Sequence, residues 1–197
     1  MESIIKGGSH LVPEKPALHN ISVLANRPRM YIAALVLIAI CIVWYAVSRA
    51  TACPTTSYEV RGTSLDESAP PGSHVTVAAI SCTTIHRGDL VLFNTPADPK
   101  APVIKRAAGI PGDTFSIATS GSVIINGNEA AVPSGAPYQL TTNGITMLDL
   151  YATDYHHTIP PKSYLLLGDV PSGALDSSRL GLISLQEIVG VVTRVQK

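Results

Sequence analysis

The stretch VIKRAAGIPGD, Val103–Asp113, joins a short β-branched run to a turn that contains two glycines and a proline. Apolar runs bounded by Gly, Pro, Asn or Asp are typical of β-strands. INGN, residues 125–128, predicts a hairpin turn, because glycine tolerates positive φ. We therefore predict a mainly β fold, a twisted all-β domain over residues 58–197 with a loop-rich excursion at 129–160. The runs that predict strands are HVTVAAI, DLVLF, APVIKRAAG, TFSIA, SVIIN, SYLLLGD and EIVGVVTRV.

A charge-free apolar run, MYIAALVLIAICIVWYAVS, occupies residues 30–48. At about 1.5 Å per residue it would extend about 28 Å, close to the thickness of a bilayer's hydrocarbon core. We predict a transmembrane helix that is an uncleaved anchor, because residues 1–29 are too long for the charged start of a signal peptide. Residues 49–57 are predicted to be a linker.

The distribution of charge predicts the orientation of this anchor. Residues 1–29 carry four Lys or Arg against two Asp or Glu, whereas residues 49–197 carry ten against twelve. By the positive-inside rule, the tail of residues 1–29 lies in the cytoplasm and the rest of the chain lies outside. On that side Cys53 and Cys82 could form a disulfide, and Cys41 within the helix is a packing residue.

The composition argues against a nucleic-acid-binding function. The 197 residues have a formal net charge of zero and no basic block, so there is no electrostatic footprint for a nucleic-acid partner. We expect neither a metal nor a cofactor. The histidines without metal-ligand spacing are His74, His86, His156 and His157.

Lys105 is the unusual residue of the opening stretch, because apolar residues flank it. If its ammonium lies on the buried side of the strand, the loss of hydration lowers its pKa and makes it a candidate general base. Alternatively, the side chain reaches out to water while Arg106 points to the other face. Spacing alone favours this second interpretation.

SYLLLGDVPSGALDSSRLG, Ser163–Gly181, runs from a strand into a cluster of aspartate, serine and arginine. Asp169, Asp176 and Arg179 are expected to form a structural ion-pair or turn network. In the functional interpretation, Asp176 and the neighbouring hydroxyls orient a lysine or a substrate backbone.

Three segments together resemble the type I signal peptidase family. They are VRGTSL (Val60–Leu65), KRAAGIPGD (Lys105–Asp113) and GDVPSGALDSSRLGLISLQEIVG (Gly168–Gly190). In that family, V-x-G-x-S-M carries the nucleophile, K-R-x-x-G-x-P-G-D carries the general-base lysine, and a G-D-N…D-S-R…G box completes the site. The resemblance extends over Tyr58–Val191 and implies a signal-peptidase-like fold and a serine endopeptidase with a Ser/Lys dyad.

Carried over by position, the resemblance makes Ser64 the nucleophile and Lys105 the base. The oxyanion would be stabilised by the amide of Ser64 with the backbone at Gly62. The resemblance also implies supporting roles for Arg106, Asp176 and Ser177.

The sequence departs from this pattern in the third box, where Val170 replaces the asparagine and Ala174 the serine that contacts the lysine. The arginine of the family's D-S-R lies one position later in this sequence, in DSSR at residues 176–179. Ser172 or Ser177 is then expected to supply the contact to Lys105.

A second branch of the family processes pilins in conjugation systems and has S-x-P-x-G at its nucleophile. SAPPG, Ser68–Gly72, fits that pattern, and GDVPSGALD fits the acidic box of that branch. On this alignment Ser68 is the nucleophile, with Asp176 a functional residue. We favour Ser64, because V-x-G-x-S and the following Pro-Gly keep register without a gap.

Three functions follow as expectations. The first is an endopeptidase of the bacterial inner membrane that cleaves signal or leader peptides from exported precursors on the outer side, in contact with lipid. The second is a pilin-maturing peptidase of a conjugative transfer system. The third is a non-catalytic anchored β-domain that binds a partner through its edge strands.

Overall fold

The computed structural model describes residues 27–50, 53–65, 68–96, 98–170 and 175–197. The chain divides into two compact units, Met1–Ala52 and Cys53–Lys197. The first unit contains the helix α1 (Arg27–Ala50), and the second is mainly β. The predicted fold class is therefore confirmed.

The helix α1 is long and apolar enough to cross a bilayer. Its 24 residues extend about 36 Å, and the candidate span Met30–Val47 has a mean hydropathy of 2.6 with every side chain exposed. This span falls within the predicted segment 30–48. Most of the predicted tail, residues 1–26, lies outside the described residues.

A seven-stranded sheet forms the framework of the second unit, with neighbouring strands antiparallel in the order β1-β2-β10-β3-β4-β8-β9. A three-stranded sheet, β5-β6-β7, lies in the segment between β4 and β8. The strands are β1 (Thr55–Glu59), β2 (His74–Ala79), β3 (Leu90–Thr95), β4 (Asp98–Gly109), β5 (Phe115–Ile117), β6 (Val123–Ile125), β7 (Asn128–Glu129), β8 (Ser163–Leu167), β9 (Ile183–Ser184) and β10 (Ile188–Gln196).

Each of the seven runs that predicted a strand overlaps one, namely β2, β3, β4, β5, β6, β8 and β10. The predicted hairpin is the turn between β6 and β7. Asn126 and Gly127 both have positive φ there, at 51° and 79°, as a tight hairpin turn requires.

The predicted loop-rich excursion at 129–160 is wrong in one respect, because it contains the helix α2 (Thr142–Asp154). Thr141 caps this helix by accepting a hydrogen bond from the Gly144 amide. The helix buries Leu148 and Ala152, four residues apart on one face. Its polar residues and its early glycine conceal this short apolar stripe in the sequence.

The helix α2 packs against the short helix α3 (Ser177–Leu180) of the third sequence box. A side chain at Gly181 would lie 2.2 Å from the Tyr151 ring, and one at Gly144 would lie 3.0 Å from Ser178 Cβ. Gly181 also has a φ of 80°, so glycine is required there on both grounds. The excursion therefore supports the third box through close contacts.

The segment predicted as a linker, residues 49–57, contains structure at both ends. The helix α1 continues to Ala50, and β1 begins at Thr55 and pairs with β2. Cys53 and Cys82 form a disulfide with a Cα–Cα distance of 5.7 Å. This bond joins the chain just before β1 to the 3₁₀ turn Ile80–Cys82 that follows β2.

Candidate active site

Ser64 lies on the loop between β1 and β2. The base of this loop is closed by a hydrogen bond from the Val60 amide to the Ser73 carbonyl at 2.9 Å. Within the loop, the Ala69 amide donates to the Leu65 carbonyl at 2.7 Å. Because Leu65 and Ala69 are both fully buried in one apolar cluster, they fix the turn that begins at Ser64. We call residues 60–73 the serine loop.

Lys105 lies on β4 at the point where pairing with β8 begins. On one side, Lys105 is paired with Val91 of β3. On the other side, β8 pairs with β4 from Arg106 onward, and within the described ranges no strand pairs with this edge at residues 101–105. We call residues 101–105, on the side of β4 that faces away from β3, the open edge of β4.

The structure brings Lys105 and Ser64 together. The Lys105 side chain is buried, with 4% of the residue exposed, and its Nζ donates a hydrogen bond to Ser64 Oγ. The alternative in which this side chain reaches out to water is therefore wrong. The serine loop covers the amine at the open edge of β4.

Burial lowers the pKa of Lys105 below its ordinary value of 10.5, because the ammonium loses hydration. The charges of Asp176 and Asp169 oppose this shift by favouring the charged form. The balance favours a neutral amine more than in a solvated lysine, and a neutral amine can accept a proton.

Ser68 has different partners. Its hydroxyl accepts a hydrogen bond from Arg106 Nη2 at 2.5 Å and donates one to Asp169 Oδ2 at 3.2 Å. Arg106 and Asp169 form a two-pronged ion pair, with Nε–Oδ1 at 3.0 Å and Nη2–Oδ2 at 2.8 Å. The two candidate serines therefore bond to consecutive residues of β4, Ser64 to Lys105 and Ser68 to Arg106.

Asp176 and Ser177 of the third box shape the chain around α3. Asp176 caps the helix by accepting hydrogen bonds from the amide and hydroxyl of Ser178, at 2.9 and 2.7 Å. Its other oxygen accepts from the Gly168 amide at 3.0 Å. Ser177 Oγ accepts from the Leu166 amide at 2.9 Å. Asp176 therefore acts on Lys105 through its charge, and Ser177 bonds to the backbone of β8.

The predicted network of Asp169, Asp176 and Arg179 has a different composition in the structure. Asp169 pairs with Arg106, and Tyr138 donates to Asp169 from the excursion at 3.4 Å. Arg179 is exposed. Two other residues of the third box, Ser172 and Ala174, lie outside the described residues.

A cleft of about 490 Å³ opens beside Ser64 and Lys105. One wall is the end of β1 with the start of the serine loop, residues 58–62, and the other is the open edge of β4. Gly62 lines the cleft, and an added Cβ there would meet no atom within 4 Å. The backbone at the predicted oxyanion position therefore has open space beside it.

No candidate metal centre adjoins this cleft. Across the described parts of the chain, the structure contains no group of three or more His, Cys, Asp or Glu side chains placed to hold a metal ion.

The chain is similar to known signal peptidases. A model of the family described as signal peptidase, peptidase S26, matches residues 29–196. Signal peptidase I V of Bacillus subtilis is 31% identical over 144 residues, which cover 69% of this chain and 82% of that protein. Signal peptidase IB of Staphylococcus aureus is 30% identical over 148 residues, covering 70% and 75% respectively.

Among solved structures, a signal peptidase I from Enterococcus faecalis V583 matches with a TM-score of 0.37 and 20% identity. The match covers 56% of this chain and 98% of that one.

Proposed function

The chain belongs to the type I signal peptidase family, peptidase family S26, and is a serine peptidase; on that basis we propose that it is a membrane-anchored endopeptidase that cleaves signal or leader peptides from exported precursors with a Ser64/Lys105 dyad. The observation that carries this proposal is the hydrogen bond between the buried Lys105 amine and Ser64 Oγ at the edge of an open cleft.

The proposed reaction uses one amine for both proton transfers. Neutral Lys105 takes the proton of Ser64 as Oγ attacks the scissile carbonyl, and it then returns that proton to the leaving amine. The acyl-enzyme is hydrolysed by a water that Lys105 deprotonates in turn. The amide of Ser64 and the backbone at Gly62 are the proposed donors to the oxyanion, where loss of one donor typically costs about 3–4 kcal/mol.

The open edge of β4 is the proposed binding site for the substrate backbone. Residues 103–105 are paired with β3 on one side, so their other side is available to an extended peptide. Residues 59–62 form the opposite wall of the cleft. A peptide between these walls would pass Ser64, and we expect small side chains to be preferred near the scissile bond.

The helix α1 is the proposed anchor, with the N-terminus in the cytoplasm and the second unit outside the bacterial inner membrane. The charge difference across residues 30–48 supports this orientation. Because a signal segment is also held by the membrane, anchoring raises the effective concentration of enzyme and substrate.

A precursor assay tests the proposal. The full chain in lipid vesicles should convert an exported precursor to one shorter product with a new N-terminus at the signal junction. A pilin precursor is the parallel substrate, because SAPPG at Ser68–Gly72 resembles the pilin-processing branch. Cleavage of the pilin alone would favour that narrower function, and cleavage of neither would contradict both.

The pH dependence provides a second test. Because a protonated Lys105 cannot accept the serine proton, kcat/KM should fall as pH decreases through the pKa of Lys105, which burial lowers below 10.5. The charge of Asp176 raises that pKa, so Asp176→Asn should shift the acid limb to lower pH. Asp154→Asn, on the exposed end of α2, is the control and should not shift it. A rate independent of pH in this region would contradict the role of Lys105.

A further inference from the structure

The Arg106–Asp169 ion pair is nearly enclosed by protein. The side chains of Arg106 and Asp169 are 13% and 8% exposed. Desolvation lowers the pKa of Arg106, but its hydrogen bond and charge interaction with Asp169 outweigh that effect and raise it. The Arg106 guanidinium therefore stays charged, and its two-pronged pairing with Asp169 provides a directional binding site for a third polar group.

Ser68 is that third group. Its hydroxyl accepts a hydrogen bond from the Arg106 guanidinium and donates one to the Asp169 carboxylate. A hydroxyl can accept and donate at the same time, so it suits a position between a cation and an anion. Tyr138 donates to the remaining oxygen of Asp169. The serine loop is thereby bonded to β4 and to the segment that follows β8.

A second bond connects the same segments near Ser64. The Val170 amide donates to the Ser64 carbonyl at 3.3 Å, and Val170 directly follows Asp169 in the chain. The turn is therefore held at Ser64 by Val170 and at Ser68 by the ion pair. Arg106 and Lys105 are adjacent on β4, so the same strand fixes both the base and the serine loop.

We propose that Ser68 is a positioning residue, whose hydrogen bonds to Arg106 and Asp169 hold the serine loop so that Ser64 Oγ stays within reach of Lys105 Nζ. This inference rests on the proposed function, because it assigns the nucleophile to Ser64. Without the Ser68 hydroxyl, the loop keeps its buried Leu65 and Ala69 but loses its bonds to Arg106 and Asp169. A displacement of about 1 Å at a reacting group can reduce the rate about 100-fold.

The test compares five single variants of the full chain in lipid vesicles. Ser68→Ala should lower kcat about 10- to 100-fold with KM changed less than about threefold. It should slow the labelling of Ser64 by a serine-directed acylating probe to a similar extent. Ser73→Ala is the matched control, because Ser73 lies in the same loop and, among the described residues, its hydroxyl bonds only to the Pro70 carbonyl, at 2.6 Å. It should leave kcat unchanged.

A pair of variants with the same shape separates positioning from folding. Thr and Val differ only in the hydroxyl, so Ser68→Thr should keep most of the activity and Ser68→Val should lose it at an equal melting temperature. This pair decides the question even if Ser68→Ala folds poorly. Equal activity of the Thr and Val variants would overturn the positioning role.

The outcomes also separate this inference from the proposed function. If Ser64→Ala is inactive while Ser68→Ala has wild-type kcat, the positioning role alone is wrong. If Ser64→Ala remains active and the probe labels Ser68, both the inference and the Ser64/Lys105 dyad are wrong.

Discussion

Lys105→Met is expected to abolish precursor cleavage, with a loss of about 10³-fold or more in kcat. The thioether has nearly the length of the lysine side chain but cannot accept a proton from Ser64 Oγ. General-base catalysis alone contributes about 10²- to 10⁴-fold, and the same amine is also the proposed acid for the leaving group. The measurement is product formation from a precursor peptide, followed over hours to detect slow turnover.

The variant should remain folded, since methionine suits the buried position of Lys105. The pKa of this lysine is lower in the folded chain than in the unfolded chain. Between those two values, the unfolded chain binds more protons, so the wild type gains stability as pH rises. The advantage of the methionine variant should therefore be largest below the folded-state pKa of Lys105, and it should shrink as pH rises toward 10.5.

Lys162→Met is the matched control, because Lys162 is exposed in the turn before β8. It should retain wild-type turnover. Activity of the Lys105→Met variant within about tenfold of the wild type, at an unchanged melting temperature, would contradict the proposed dyad.

Ser64→Ala should eliminate the covalent intermediate and with it both turnover and probe labelling. The loss in kcat should be about as large as that for Lys105→Met, because the two groups act in one step. For the same reason, the double variant should be no less active than either single one. Ser57→Ala, on an exposed position of β1, is the control. Peptide mapping of the labelled wild type by mass spectrometry should locate the probe on Ser64.

A multiplicative loss in the double variant would indicate that Ser64 and Lys105 act independently. Labelling that persists in Ser64→Ala would identify a different nucleophile.

The larger strands were predictable from the sequence because β-branched runs and turn residues agree there. HVTVAAI begins with alternating polar and apolar residues, and DLVLF contains a continuous apolar run. Both patterns are typical of buried strands, and the two runs form β2 and β3. The strand β1 has no such signal, because TTSYE is almost entirely exposed and pairs with a single neighbour. The helix α2 was missed because its buried apolar side chains are limited to Leu148 and Ala152; it also packs against α3.

The candidate site was predictable only in part. The motifs select Ser64 and Lys105, although these residues are 41 positions apart. Spacing around Lys105 gave the wrong preference for an exposed side chain, because the amine is buried against Ser64 of the serine loop, which is distant in the sequence. The partners of Arg106 could not be derived, since Asp169 is 63 positions away and reaches it through the pairing of β8 with β4.

The Cys53–Cys82 bond makes the chain between the two cysteines a closed ring, and both Ser64 and Ser68 lie on it. A cross-link with a sequence separation of 29 typically stabilises the folded state by about 3–4 kcal/mol, because it lowers the conformational entropy of the unfolded chain. An exposed outer strand such as β1 is the part of a sheet that frays first. The ring limits how far a frayed β1 could travel, so we expect Ser64 to return to the Lys105 amine by a local search rather than by refolding of the whole domain.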